Sequence, residues 1–262
     1  MMEYIKEMRL PISVLKPEKE SDAVGIQTEI FLRSFFHFNE NRLGIVSTSL
    51  ENIIRDTGVR APVNKIRKNK RYKVLIDALQ EHIRDDSISP LKKGNFSEKS
   101  LNTNISFYNY IDEPFFKCNL HTGRYDASEP FVSLTVDEYE ILISENGSSN
   151  RIRDLHVYLF IKSKMWKRHE GDDPLRNPEY AVFSLEELCE GCHIGIGALK
   201  TSLENLKNNL HLIASEKPKG KVVSSGEYYN FKTVYVLKND NWEDELCNGI
   251  KRYTEFVNKH MI

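Results

Sequence analysis

The sequence predicts a mainly helical α+β chain with small β hairpins, built of two halves that repeat one order of elements. Three observations predict it. Apolar residues recur at helical spacing, most plainly at Ile196, Leu199, Leu203, Leu206 and Leu210, which step by 3, 4, 3 and 4. Short β-branched or alternating runs follow such stretches in each half. Helix starts of the Ser/Thr-x-x-Glu kind, Thr48 with Glu51 and Ser184 with Glu187, stand at corresponding places.

Residues 1–25 are polar and contain prolines, which reads as an irregular arm. Ile26 to Asn39 is strongly apolar and lacks Gly and Pro, a buried helix. Thr48 and Glu51 predict a capped short helix ending at Gly58, whose freedom at positive φ suits a helix stop. Tyr72, Leu75, Ile76, Leu79 and Ile83 form one buried helical face. Residues 85–104 read as a loop or hairpin tip. Residues 104–110 and 131–136 read as strands, and Asp137 to Glu145 as a short helix. Turn residues around Gly123, Ser128 and Pro130 place the boundary between the halves there.

The second half starts again with a helix from Arg151 to Lys167, its buried face carrying Ile152, Leu155, Leu159 and Trp166. Ser184 and Glu187 cap a short helix that Gly191 should turn. The Ile196–Leu210 helix follows, and then a hairpin: residues 211–215, a Lys/Gly turn at 217–221, and a strand over 228–237. The chain ends in a helix from Trp242 to about Lys259, with Trp242, Leu246, Ile250, Tyr253 and Val257 in register, a stripe that would mediate dimerisation or packing between domains. The expected domains are an arm over 1–25, modules over 26–127 and 128–240, and a C-terminal helix over 241–262.

Composition bounds the function. The 262 residues are 40% hydrophobic, enough for cores, and 37 Lys and Arg against 38 Asp and Glu give a net charge of -1. A uniformly basic coat for nucleic acid is excluded; a local basic patch is not. No apolar run reaches the ~18–20 residues that span a bilayer. The first residues lack an export signal's apolar stretch, so a cytoplasmic chain with reduced thiols is expected.

Helix, capped short helix, tight connector, striped helix and hairpin is the order of a winged helix-turn-helix. In that arrangement the first two helices are a platform and the third lays its outer face in a major groove. The hairpin brings basic residues to phosphates. In the second half the outer face would carry Lys200, Thr201, Asn205 and Asn208, and the wing Lys217, Lys219 and Lys221. The first half has the stronger charge signal. Arg60, Lys65, Arg67, Lys68, Lys70, Arg71 and Lys73 fall within fourteen residues without one carboxylate, and Asn64 lies among them. The alternatives are a solvated charge run and a three-helix core that mediates only protein contacts.

The stretches SLENIIRDTGVRAPVNKIRKNKRYKVLIDAL and FSLEELCEGCHIGIGALKTSLENLKNNLHLI resemble winged-helix DNA-binding proteins of plasmids, phages and integrative elements in Gram-positive bacteria. Replication initiators and regulators of mobile elements share this style. The resemblance covers residues 26–85 and 131–237 and is one of pattern. It implies tandem winged-helix domains and a homodimer bound to double-stranded DNA in transcription regulation or replication initiation. A protein-interaction adaptor with the same cores is the rival.

Other motifs carry less. Cys189-Glu-Gly-Cys192-His193 matches haem attachment, but that chemistry belongs to exported proteins. The same residues with Cys118 or Cys247 lack a second closely spaced ligand pair for zinc, so structural thiols are expected. Gly195, Gly197, Lys200 and Thr201 hint at a phosphate loop, but Leu199 stands where that loop needs Gly. Phe107, Tyr108, Tyr110, Phe115 and Phe116 are read as packing aromatics rather than stacking platforms for single strands. No enzyme signature and no cofactor is expected.

Overall fold

A computed structural model describes residues 7–15, 23–58, 70–91, 105–109, 116–119, 124–127, 130–144, 150–168, 171–173, 176–222 and 228–260. These residues are mixed helix and sheet, with helix dominant. The chain divides into two compact units, Met1–His156 and Val157–Ile262.

The first unit has β1 (Glu7–Pro11) and α1 (Ile12–Leu15), so residues 7–15 of the expected irregular arm are regular. Alternation explains why: Met8 and Leu10 are buried while Glu7 and Arg9 are exposed, a half-buried strand. α2 (Ala23–Asn39) is buried on nearly every side, as its apolar sequence dictates. β2 (Ile45–Thr48) leads into α3 (Leu50–Asp56). The cap of α3 is Ser49, one residue later than predicted: its hydroxyl accepts from the Asn52 N–H at 3.2 Å. Thr48 is instead the last strand residue, buried in the sheet. Gly58 does take positive φ (+79°) after the helix.

α4 (Lys70–Arg84) buries Tyr72, Leu75, Ile76 and Leu79, with His82 buried where Ile83 was expected. His82 reaches across to α2, where its Nε2 lies 2.8 Å from Glu29 Oε2. Arg33 donates from Nε to the other carboxylate oxygen at 2.7 Å. Burial works to raise the Glu29 carboxyl, but the His82 hydrogen bond and the Arg33 charge outweigh it and hold the group below its ordinary range.

β3 (Ile88–Pro90) and β4 (Ile105–Asn109) complete an antiparallel sheet in the order β2-β4-β3. β5 (Phe116–Asn119) and β6 (Arg124–Ala127) pair as a ribbon. β7 (Phe131–Thr135) pairs with β1, so it belongs to the first unit rather than opening the second half at 128. Thr135 then caps α5 (Val136–Ile143) in a reciprocal box with Glu138.

α6 (Arg151–Ser163) contains the division between the units. It stops short of Trp166, which is 46% exposed and off the buried face assigned to it. In the second unit β8 (Ala181–Phe183) leads through Ser184 into α7 (Leu185–Cys192). The predicted box is present: Ser184 Oγ accepts from the Glu187 N–H at 3.2 Å, and Glu187 Oε2 accepts from the Ser184 N–H at 2.8 Å. α8 (Ile196–Glu204) runs into a π-helical turn (Asn205–Asn209). β9 (Ile213–Glu216), β10 (Lys221–Val222), β11 (Tyr228–Tyr229) and β12 (Thr233–Leu237) follow. The sheet order is β8-β12-β9, and the single strand expected over 228–237 is two strands.

α9 (Trp242–His260) closes the chain. Its apolar stripe was expected to serve dimerisation or packing between domains. Leu246, Tyr253 and Val257 instead cover Ala214, Val234 and Val236 on the sheet of the same unit. Gly249 lets α9 lie close to Tyr180, because a Cβ there would sit 3.1 Å from the Tyr180 ring.

The two sheets correspond residue by residue. Each first strand runs directly into a capping serine, Ser49 or Ser184. Ser47 pairs with Ser106 and Val182 with Val234; Val46 pairs with Phe107 and Ala181 with Tyr235. On the far side Tyr108 pairs with Ser89 and Val236 with Ala214. A non-glycine residue at positive φ, Asp86 (62°) or His211 (53°), stands two places before Ile88 or Ile213, where the third strand of each sheet begins.

Candidate nucleic-acid interface

α7 and α8 are joined by a tight turn whose geometry comes from His193, not from Gly191. His193 takes a left-handed backbone (φ 50°, ψ 42°) and its N–H caps α7 on Cys189 and Glu190. Gly191 lies inside α7 for a different reason: a Cβ there would fall 2.1 Å from the Phe160 ring. Any larger residue would push α7 off α6.

Gly195 precedes α8 and caps it without a side chain. Leu199 and Ser202 are buried, while Lys200, Thr201 and Glu204 are exposed. The Thr201 hydroxyl donates to the Gly197 carbonyl at 3.0 Å. Ile196, expected on the buried stripe, is 50% exposed. It is the first residue of the helix, and the stripe reaches the core only at Leu199. Asn205, expected on the outer face, is 4% exposed. The π-helical turn widens the helix there, and Asn205 turns inward to accept from Asn209 Nδ2 at 2.8 Å. Asn208 remains exposed, as does Lys207, which the sequence reading missed. Lys207 Nζ donates to the Ser215 carbonyl at 3.0 Å, tying the helix end to β9.

After β9 the chain exposes Lys217 and Lys219, and Lys221 starts β10. The four exposed lysines at 200, 207, 217 and 219 share the module with exposed Glu186 and Glu204. Glu186 is held low, first by hydrogen bonds to its own backbone N–H and to Ser184, with Lys217 adding attraction. Lys232 is engaged by Glu187 Oε1 at 2.5 Å.

In the first module Lys73 is exposed on α4 and Arg71 is half-buried. Arg153 is lowered by burial first; Asp154 opposes this and nearby Arg71 adds to it. Lys70 starts α4. Arg60, Asn64, Lys65, Arg67 and Lys68 lie outside the described residues.

Cys192 is buried and its thiol is pushed up to about 12, by burial first and then by Cys189. Cys189 is raised by burial and by Glu186. Both stay protonated near neutrality, which disfavours nucleophile or ligand chemistry. Among the described residues no three His, Cys, Asp or Glu side chains gather where they could hold a metal ion. No described helix is long and apolar enough to cross a membrane. The chain matches no protein-family model, no curated protein and no solved structure.

Proposed function

We propose that the chain is a tandem winged-helix protein that binds double-stranded DNA and acts in transcription regulation or replication initiation of a mobile element. The observation that carries this reading is the order helix, strand, capped helix, tight turn, helix, strand and lysine-bearing hairpin in the second unit. Its third helix keeps a face of Lys200, Thr201 and Asn208 in solvent. The matching strand register of the first unit supports a tandem pair. On this reading the protein works in the cytoplasm, as a homodimer on a palindrome if a regulator, or on direct repeats if an initiator.

One observation favours a protein-interaction adaptor as the second reading. Trp166 (46%) and Phe256 (54%) are exposed, and the Arg252 guanidinium sits 5.9 Å from the Trp166 ring. Trp and Arg dominate binding hot spots in protein interfaces.

Salt-dependent duplex binding separates the two. With DNA flanking the gene as target, replacing Arg67, Lys68, Lys70 and Arg71 together by Ala should weaken binding. It should also flatten the slope of log K against log salt by about 4 if all of them meet phosphate. Lys219→Ala should flatten it by about 1. Absence of any salt-sensitive duplex binding by the unaltered chain would leave the adaptor reading standing.

A further inference from the structure

Resting on the DNA reading above, we infer that Ile196 selects the sequence bound by the second module, by reading the C5-methyl group of thymine in the major groove. Ile196 is the first residue of α8 and is 50% exposed. Gly195 and Gly197 flank it, and a Cβ built at either would meet nothing within 4 Å. A branched aliphatic side chain thus stands in open space between two positions that carry no side chain.

That shape suits a groove floor. The N-terminal residues of a recognition helix are the ones that reach base edges. Glycine on both sides removes the bulk that would hold this turn off the groove walls. The chemistry then narrows the choice of base. Major-groove edges present donors and acceptors, to which a hydrocarbon offers nothing, and one apolar group, the thymine methyl. Against guanine, adenine or cytosine, Ile196 would strip water from a polar edge without replacing the hydrogen bond.

The neighbouring side chains leave that role to Ile196. The Thr201 hydroxyl proton is already committed to the Gly197 carbonyl, so it is not available to a base acceptor. Lys200, one turn on, is exposed and suits guanine or phosphate.

The test uses a duplex enriched from a randomised pool by the full chain, synthesised once with thymine and once with uracil, which lacks only the methyl. The unaltered protein should bind the uracil duplex about fourfold more weakly for each methyl contacted, the factor expected for burying one such group. Ile196→Ala should bind both duplexes alike, at the weaker level, and Ile196→Val should restore part of the difference. Equal binding of both duplexes by the unaltered protein overturns the inference while leaving DNA binding in place. So does an Ile196→Ala variant that still distinguishes them. Failure to enrich any duplex removes the DNA reading itself, and this inference with it.

Discussion

The first module's sheet shows Ser47, Ser89 and Ser106 on the face where the second module's sheet shows Val182, Ala214 and Val234. The inner faces do not diverge in this way: Phe107 and Tyr235, both aromatic and buried, occupy the same place. One pairing scheme therefore supports two different surroundings. In the second module α9 lies on the outer face and buries it. In the first, Ser47 and Tyr108 are exposed and the Ser47 and Ser106 hydroxyls bond each other at 2.7 Å. Backbone register comes from the turns, caps and inner-face hydrophobes that both modules share. The outer-face residues record only what each sheet must meet.

Exchanging those residues sharpens the comparison. Val234→Ser should destabilise the second module by about 3 kcal/mol, combining lost apolar burial with a hydroxyl placed in the α9 contact. The reverse change, Ser106→Val, should stay within about 0.5 kcal/mol, as half-exposed positions do. Both tryptophans, Trp166 and Trp242, lie in the second unit. Urea titration followed by tryptophan fluorescence thus reports that unit, while far-UV ellipticity follows the whole chain. A clear gain in stability from Ser106→Val would mean that the first sheet's outer face is as dry as the second's.

The caps provide a smaller test on which the modules should agree. Ser49→Ala and Ser184→Ala should each cost about 1 kcal/mol, since each removes one acceptor from a helix start. The two costs should be close, because the backbone N–H of residue 184 still donates to Glu187 Oε2 after the Ser184 change, and only the bond from the Glu187 N–H to Ser184 Oγ is lost. Urea midpoints of the two variants check this. A much larger effect at Ser184 would break the equivalence.

The helices and their order were legible because periodicity reports burial directly. Leu199 on α8, and Leu246, Tyr253 and Val257 on α9, are buried as their spacing requires. The candidate interface was less legible. Ile196 fits the stripe by number, but a helix's first residue lies before the point where the axis meets the core, and spacing alone carries no such offset. Asn205 falls on the outer face of an ideal helix, but the π-helical turn rotates everything after Glu204. The arm over 1–25 hid a strand whose partner, β7, is more than a hundred residues away. Pairing at that distance leaves no trace in local composition.

The smallest effect expected concerns the carboxylate of Glu29 between Arg33 and His82 in the first module. Because the folded-state carboxyl lies below its unfolded value near 4.5, its contribution to stability is complete above that pH. It is lost as pH falls through the lower folded value, where the folded carboxylate finally takes up its proton. Glu29→Gln cannot titrate, so the stability gap between the unaltered protein and the variant should be constant near neutrality and shrink below pH 4.5. Thermal unfolding across pH 3 to 7, followed by ellipticity, measures that gap. A gap that widened on acidification would mean the carboxyl is raised rather than lowered. Burial would then be the winning influence, and His82 and Arg33 would have to be placed less closely than the 2.8 and 2.7 Å found here.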